Sequence, residues 1–273
     1  MPHRRLVFCV SDHTGVTAEV FARSLMSRFD GVDVRYIVRS FVNDPGDVDE
    51  VVDEIATALA AGQAPVVFST LTDAAMRARL REGGALVLGL FDHFVDELEQ
   101  ELQSSATADI GSYHGIRDLA KYQARLDAVD FSLATDDGLG TKHYGEADII
   151  LVGVSRAGKT PTSLYMAMHH GLSAANYPLT AEDLDSAELP PALQPHREKL
   201  FGLTIDPVRL HQIRQRRRPD SRYADLATCT LEVGKAEVLF RQERIPVTNS
   251  TTQSIEEMAA TIMNSVGLRG RLR

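Results

Sequence analysis

Ala147-Asp148-Ile149-Ile150-Leu151-Val152-Gly153-Val154-Ser155-Arg156-Ala157-Gly158-Lys159-Thr160 carries an apolar run straight into G-V-S-R-A-G-K-T, a complete G-x-x-x-x-G-K-[ST] phosphate-binding loop. The β-branched residues before the loop read as a buried parallel strand. The residues after it, through His170, are helix formers that stop at Gly171. Pro161 falls in the first helical turn, where a missing N–H costs little. A strand, a glycine-bounded turn and a helix in that order aim several backbone N–H groups, together with a helix N-terminus, at one anion. The expected nucleotide-binding residues are therefore Gly153, Val154, Ser155, Arg156, Ala157, Gly158, Lys159 and Thr160. Lys159 would add a point charge at a terminal phosphate, and the Thr160 hydroxyl is placed to ligate Mg²⁺.

On both sides of the loop, strands alternate with helices. Strands are expected at Leu6 to Val10, Val34 to Val38, Val66 to Ser69 and Leu86 to Leu90, with helices at Gly15 to Arg28, Asp47 to Ala61, Asp73 to Arg81 and Phe94 to Gln103. Ser104 to Gly115 has the composition of a linker, and a helix from about Asp118 to Leu133 leads to Asp136-Asp137-Gly138. After the loop helix come a short strand near Ala174 to Tyr177, a strand from Leu200 to Ile205 and a helix from Asp206. A longer helix follows from about Tyr223 to Arg241, then a strand from Ile245 to Thr248 and a last helix after Ser254. Ser254 and Glu257 form a capping box that fixes where that helix begins. The expected class is α/β: a parallel doubly wound N-terminal domain (1–110), a helix and linker (111–145), and a P-loop-type α/β nucleotide-binding domain (146–273).

Composition narrows the function. The 273 residues are 44% hydrophobic and 25% charged, and no run approaches the length of a membrane span. The N-terminus leads into a short strand and does not resemble a secretory signal, so a cytoplasmic location is expected. Only Cys9 and Cys229 occur, outside any C-x-x-C spacing; they are read as buried hydrophobes and not as metal ligands or a disulfide. A formal net charge of −9 argues against nucleic acid as a partner, which needs a concentrated basic face. The local exception is six arginines between Arg209 and Arg222. They fit a solvated helix face, a second anion site or a docking patch. The nine histidines show no ligand spacing.

Three carboxylates deserve weighing beside the loop. Asp12 lies in Ser11-Asp12-His13-Thr14-Gly15-Val16-Thr17, between the first strand and first helix, where ligands sit in parallel sheets and where helix caps are also common. Asp137 lies in a D-D-G that reads either as a solvated turn or as an acid able to orient Mg²⁺ or accept a proton. Asp206 ends an apolar strand, as a Walker B acid would, but Pro207 after it favours a helix cap.

With those residues in hand, the chain resembles the phosphoenolpyruvate synthase regulatory protein family, which includes the pyruvate, phosphate dikinase regulatory proteins. The resemblance runs through S-D-x-T-x-x-T-A-E at Ser11 to Glu19, D-D-G at Asp136 to Gly138 and A-D-I-I-L-V-G-V-S-R-A-G-K-T-P-T-S-L-Y at Ala147 to Tyr165. It continues in A-A-N-Y-P at Ala174 to Pro178, F-G-L-T-I-D-P at Phe201 to Pro207 and I-P-V-T-N-S-T at Ile245 to Thr251. It implies a bifunctional enzyme that uses ADP to phosphorylate a threonine of phosphoenolpyruvate synthase, inactivating it. The same enzyme would remove that phosphate with inorganic phosphate, releasing pyrophosphate. Lys159, with Asp137 or Asp12 as proton acceptor, would be catalytic, and Arg156 and part of the arginine cluster would serve the second anion. Pyruvate, phosphate dikinase as the target, a P-loop small-molecule kinase and a non-catalytic nucleotide-sensing adaptor remain alternatives, and homo-oligomerisation stays open.

Overall fold

The computed structural model describes residues 3–92, 94–106, 119–186 and 188–268. The chain divides into two compact units, residues 1–117 and 118–273. Most of the expected linker, residues 107–115, lies outside the described residues.

In the first unit the order is β1 (His3–Val10), α1 (Val16–Met26), β2 (Val32–Arg39), α2 (Pro45–Ala60), β3 (Val66–Ser69), α3 (Ala74–Arg81), β4 (Leu86–Gly89) and α4 (Val95–Leu102). The strands form one parallel sheet in the order β2-β1-β3-β4. β1 is central and divides its side chains between two faces, as period-two alternation requires. Phe8 and Val10 pack with Val48, Val51 and Ile55 of α2 and Leu80 of α3, whereas Val7 and Cys9 pack with Ala18 and Ala22 of α1. Helices on both faces make this a doubly wound sheet. α2 begins where the sequence can stop its unsatisfied N–H groups: Asp44 and Asp47 form a capping box and Pro45 is the first helical residue.

The second unit runs α5 (Leu119–Ala134), β5 (Ile149–Val154), α6 (Lys159–His170), β6 (Ala174–Leu179), α7 (Ala181–Ser186), β7 (Leu200–Thr204), α8 (Pro207–Arg217), α9 (Leu226–Gln242), β8 (Val247–Asn249) and α10 (Ile255–Ser265). Its sheet is again four-stranded and parallel, in the order β6-β5-β7-β8. Every residue of β5 is buried, as a strand covered on both faces must be. α6 packs with α5 and α10, while α9 packs on β5 and β7 between α7 and α8. The helix expected as part of a linker therefore belongs to this unit, as α5 against α6. Pro178 sits in β6, an edge strand, where its missing N–H breaks no ladder. The Ser254–Glu257 capping box opens α10.

Both sheets wind alike. The chain steps from the first strand to a neighbour on one side, then crosses to the other side for the remaining two. The point of reversal lies at the carboxyl ends of β1 and β3 in one unit and of β5 and β7 in the other, the position where ligands bind in open α/β sheets.

Candidate phosphate site

The segment after β5 occupies the second unit's switch point. Gly153 is required for packing, since a Cβ there would fall on the Leu203 carbonyl oxygen of β7. Arg156 (φ 76°) and Gly158 (φ 93°) take left-handed conformations, which turn the backbone sharply into α6. Gly158 is the N-cap of α6 and supplies no side-chain cap, leaving the first-turn N–H groups available to an anion. The Ala157 N–H donates to the Val154 carbonyl at 3.2 Å and closes the turn.

Lys159 is 4% exposed and its ammonium donates to the Val154 carbonyl at 2.9 Å. Burial pulls its pKa down to about 7, a shift that Arg214 and Arg156 reinforce and that Asp137 and Asp136 oppose. An anion placed beside Lys159 would oppose that shift by favouring the charged ammonium.

Thr160, in the first turn of α6, donates its hydroxyl to Asp136 Oδ1 at 2.9 Å. Asn176 of β6 donates its amide to Thr160 Oγ1 at 2.9 Å and also to Asp136. These three side chains form one cluster, and the buried Asn176 Oδ1 has no hydrogen-bond partner. The Asp136 carboxylate and the Thr160 hydroxyl, held together with Asn176 behind them, are oxygen donors of the kind a hard divalent cation takes. Among the described residues no group of three or more His, Cys, Asp or Glu side chains could hold a metal ion. Asp137 follows in a left-handed conformation (φ 50°) that is uncommon for a residue with a side chain. Asp136, Asp137, Arg156, Lys159 and Thr160 line a cavity of about 690 Å³ that also reaches Tyr223 and Ile213.

The arginine cluster separates into different roles. Arg217 and Arg218 line the cavity, and Arg209, Arg216 and Arg222 are exposed. Arg214 is fully buried, and its guanidinium donates to Glu232 at 2.7 Å, to the Ser155 carbonyl at 3.1 Å and to the Tyr223 carbonyl at 3.0 Å. The solvated-face expectation fails for Arg214, because it shares the buried stripe of α8 with Leu210 four residues earlier. Asp206 accepts from the Val208 and Arg209 N–H groups and caps α8.

Asp12 lies in the first unit, where its carboxylate accepts from the Thr72 N–H at 2.8 Å and the Thr72 hydroxyl at 2.7 Å. No side chain caps α1; its N-cap is Gly15 in a left-handed conformation, whose Cβ would come 2.9 Å from Val38 Cγ1. Cys9 and Cys229 are buried and unpaired as thiols, and burial raises Cys9 to about 11. Asn176 and Asp136 carry no signal of their own in the sequence: the A-A-N-Y-P block contains the one buried side-chain amide among the described residues, but nothing in its spacing ties it to Thr160. Among the described residues no helix is long and apolar enough to cross a membrane.

A family model described as "Kinase/pyrophosphorylase" matches residues 7–263. The chain is 49% identical over 269 residues to a protein of Stenotrophomonas maltophilia (strain R551-3), covering 98% of each chain. It is 45% identical to one from Deinococcus radiodurans (98% of this chain, 97% of the relative) and 42% identical to one from Marinobacter nauticus (97% and 98%). Each carries the name "Putative phosphoenolpyruvate synthase regulatory protein". The chain belongs to the kinase/pyrophosphorylase family.

Proposed function

We propose that the protein is a cytoplasmic regulator of phosphoenolpyruvate synthase that phosphorylates a threonine of that enzyme with ADP and removes the phosphate with inorganic phosphate. The observation that carries this reading is the meeting, at one switch point, of the uncapped N-terminus of α6, Lys159 and the Asp136–Thr160–Asn176 cluster. Loop amides from Val154 to Lys159 would grip the diphosphate of ADP. Mg²⁺, held by Thr160 with Asp136 and Asn176 behind it, would neutralise charge on the transferred phosphoryl group.

In the forward direction the target threonine hydroxyl attacks the β-phosphorus, the bond to the α-phosphate bridging oxygen breaks, and AMP leaves. Asp137, lining the same cavity, takes the hydroxyl proton. In reverse, an oxygen of inorganic phosphate attacks the phosphothreonine phosphorus, pyrophosphate forms and the threonine oxygen is reprotonated. Arg156, Arg217 and Arg218 would hold the second anion, since guanidinium groups fork phosphate oxygens.

The test is incubation with phosphoenolpyruvate synthase, Mg²⁺ and β-labelled ADP. Label on a target threonine with AMP released supports the reading. Transfer from ATP alone, or to a small metabolite with no protein present, overturns it. A parallel incubation with pyruvate, phosphate dikinase decides the target.

A further inference from the structure

We infer that Arg214 is a positioning residue that pre-shapes the phosphate loop from behind, an assignment that rests on reading the loop as an anion site. Its side chain is 1% exposed and joins three elements and the loop itself. One guanidinium nitrogen pairs with Glu232 of α9 at 2.7 Å and reaches the Ser155 carbonyl at 3.1 Å; the other donates to the Tyr223 carbonyl at 3.0 Å. The guanidinium carbon lies 4.2 Å from the centroid of the Tyr223 ring, and the Tyr223 hydroxyl is hydrogen-bonded to Ser155 Oγ at 3.0 Å. Ser155 is thus held twice, directly through its backbone and through Tyr223 by its side chain.

The consequence follows from peptide geometry. Carbonyl and N–H of one trans peptide point in opposite directions. Fixing the Ser155 carbonyl toward α8 directs the Arg156 N–H the other way, and Arg156 is the left-handed residue on which the turn depends. Lys159 holds the preceding carbonyl, that of Val154, at 2.9 Å. Two successive loop carbonyls therefore accept from side-chain N–H donors, and the intervening peptide cannot rotate without breaking one of these bonds. A donor set fixed before the ligand arrives saves the ordering cost of binding. The planar fork of arginine can bridge Glu232, Ser155 and Tyr223 at once, which a lysine point charge cannot reproduce.

The test uses the full chain with the double variant Arg214→Met/Glu232→Gln, which removes the brace without leaving a buried charge unpaired, and Arg214→Lys, which keeps the charge. Amide hydrogen exchange of the ligand-free protein is read first. Loop amides 155–158 should exchange about tenfold faster in the double variant, as expected for losing one net hydrogen bond, while β5 amides stay protected. ADP affinity by calorimetry should fall by a similar factor, and Arg214→Lys should restore neither fully. Unchanged loop exchange with wild-type affinity overturns the assignment, as does full recovery in Arg214→Lys. If the wild-type protein binds no ADP, the nucleotide reading fails, and the exchange data still decide the brace. Should the double variant not fold, Arg214→Lys alone is read in the same two assays, and wild-type behaviour in both overturns the brace.

Discussion

The Thr160 hydroxyl donates to Asp136 Oδ1 at 2.9 Å, so the first turn of α6 is tied to the short 3₁₀ turn that follows α5. Twenty-four residues separate the two in sequence. If they flank a cation, Asp136→Asn should raise the Mg²⁺ concentration for half-maximal transfer by about 10- to 100-fold. Asp137→Asn should leave that midpoint in place and lower turnover by about 10²-fold or more, as loss of a general base does. A Mg²⁺ titration of both variants checks this; identical shifts would refute the division of roles.

Burial of the Lys159 ammonium costs stability. Its folded pKa of about 7 lies below its ordinary 10.5, so the unfolded chain binds more protons between those values and stability rises with pH across that window. The penalty is complete below pH 7 and vanishes above pH 10.5. Lys159→Met should therefore melt higher than wild type at pH 6.5, by an increment that shrinks toward pH 10, and should lose phosphotransfer. Thermal melts across pH measure it; a variant that melts lower at every pH contradicts the burial argument.

Anion binding should be coupled to proton uptake at the same lysine. A phosphate beside Lys159 raises its pKa in the complex above the free value, so ADP affinity is full below pH 7 and falls above it, by at most about tenfold per pH unit. Calorimetry in two buffers of different ionisation enthalpy would report the protons taken up at pH 8. Affinity that rises with pH would be incompatible with this site.

Gly153 tests how tightly β5 meets β7. Gly153→Ala places its methyl on the Leu203 carbonyl and should destabilise the second unit by about 1–3 kcal/mol, read by urea unfolding. A midpoint equal to wild type would mean that the strands part at no cost.

Much of this site is legible locally. The turn after β5 is visible in sequence because Gly153 must clear the Leu203 carbonyl and Gly158 must take a left-handed conformation, and Asp206-Pro207 and Ser254 with Glu257 mark helix starts because capping is a short-range interaction. The long-range partnerships are silent in sequence. Asn176 meets Thr160 only through the pairing of β5 with β6, and Arg214 looks like its exposed neighbours until α9 supplies Glu232. Helix limits shift for the same reason: residues 222–224 form a separate 3₁₀ turn that presents the Tyr223 carbonyl to Arg214, so α9 starts at Leu226.

The repeated winding order bears on how the protein matures during synthesis. The last strand of the first sheet ends at Gly89, well before β5 begins at Ile149, whereas the second sheet lacks β8 until Asn249 has been made. The first unit has all the strands of its own core early enough to collapse on the ribosome, while β5, buried on both faces, must wait for its neighbours β6 and β7 and for the covering helix α9. Truncated nascent chains should become protease-resistant in two steps, and the interval between them is when the most apolar strand of the molecule is exposed to chaperones.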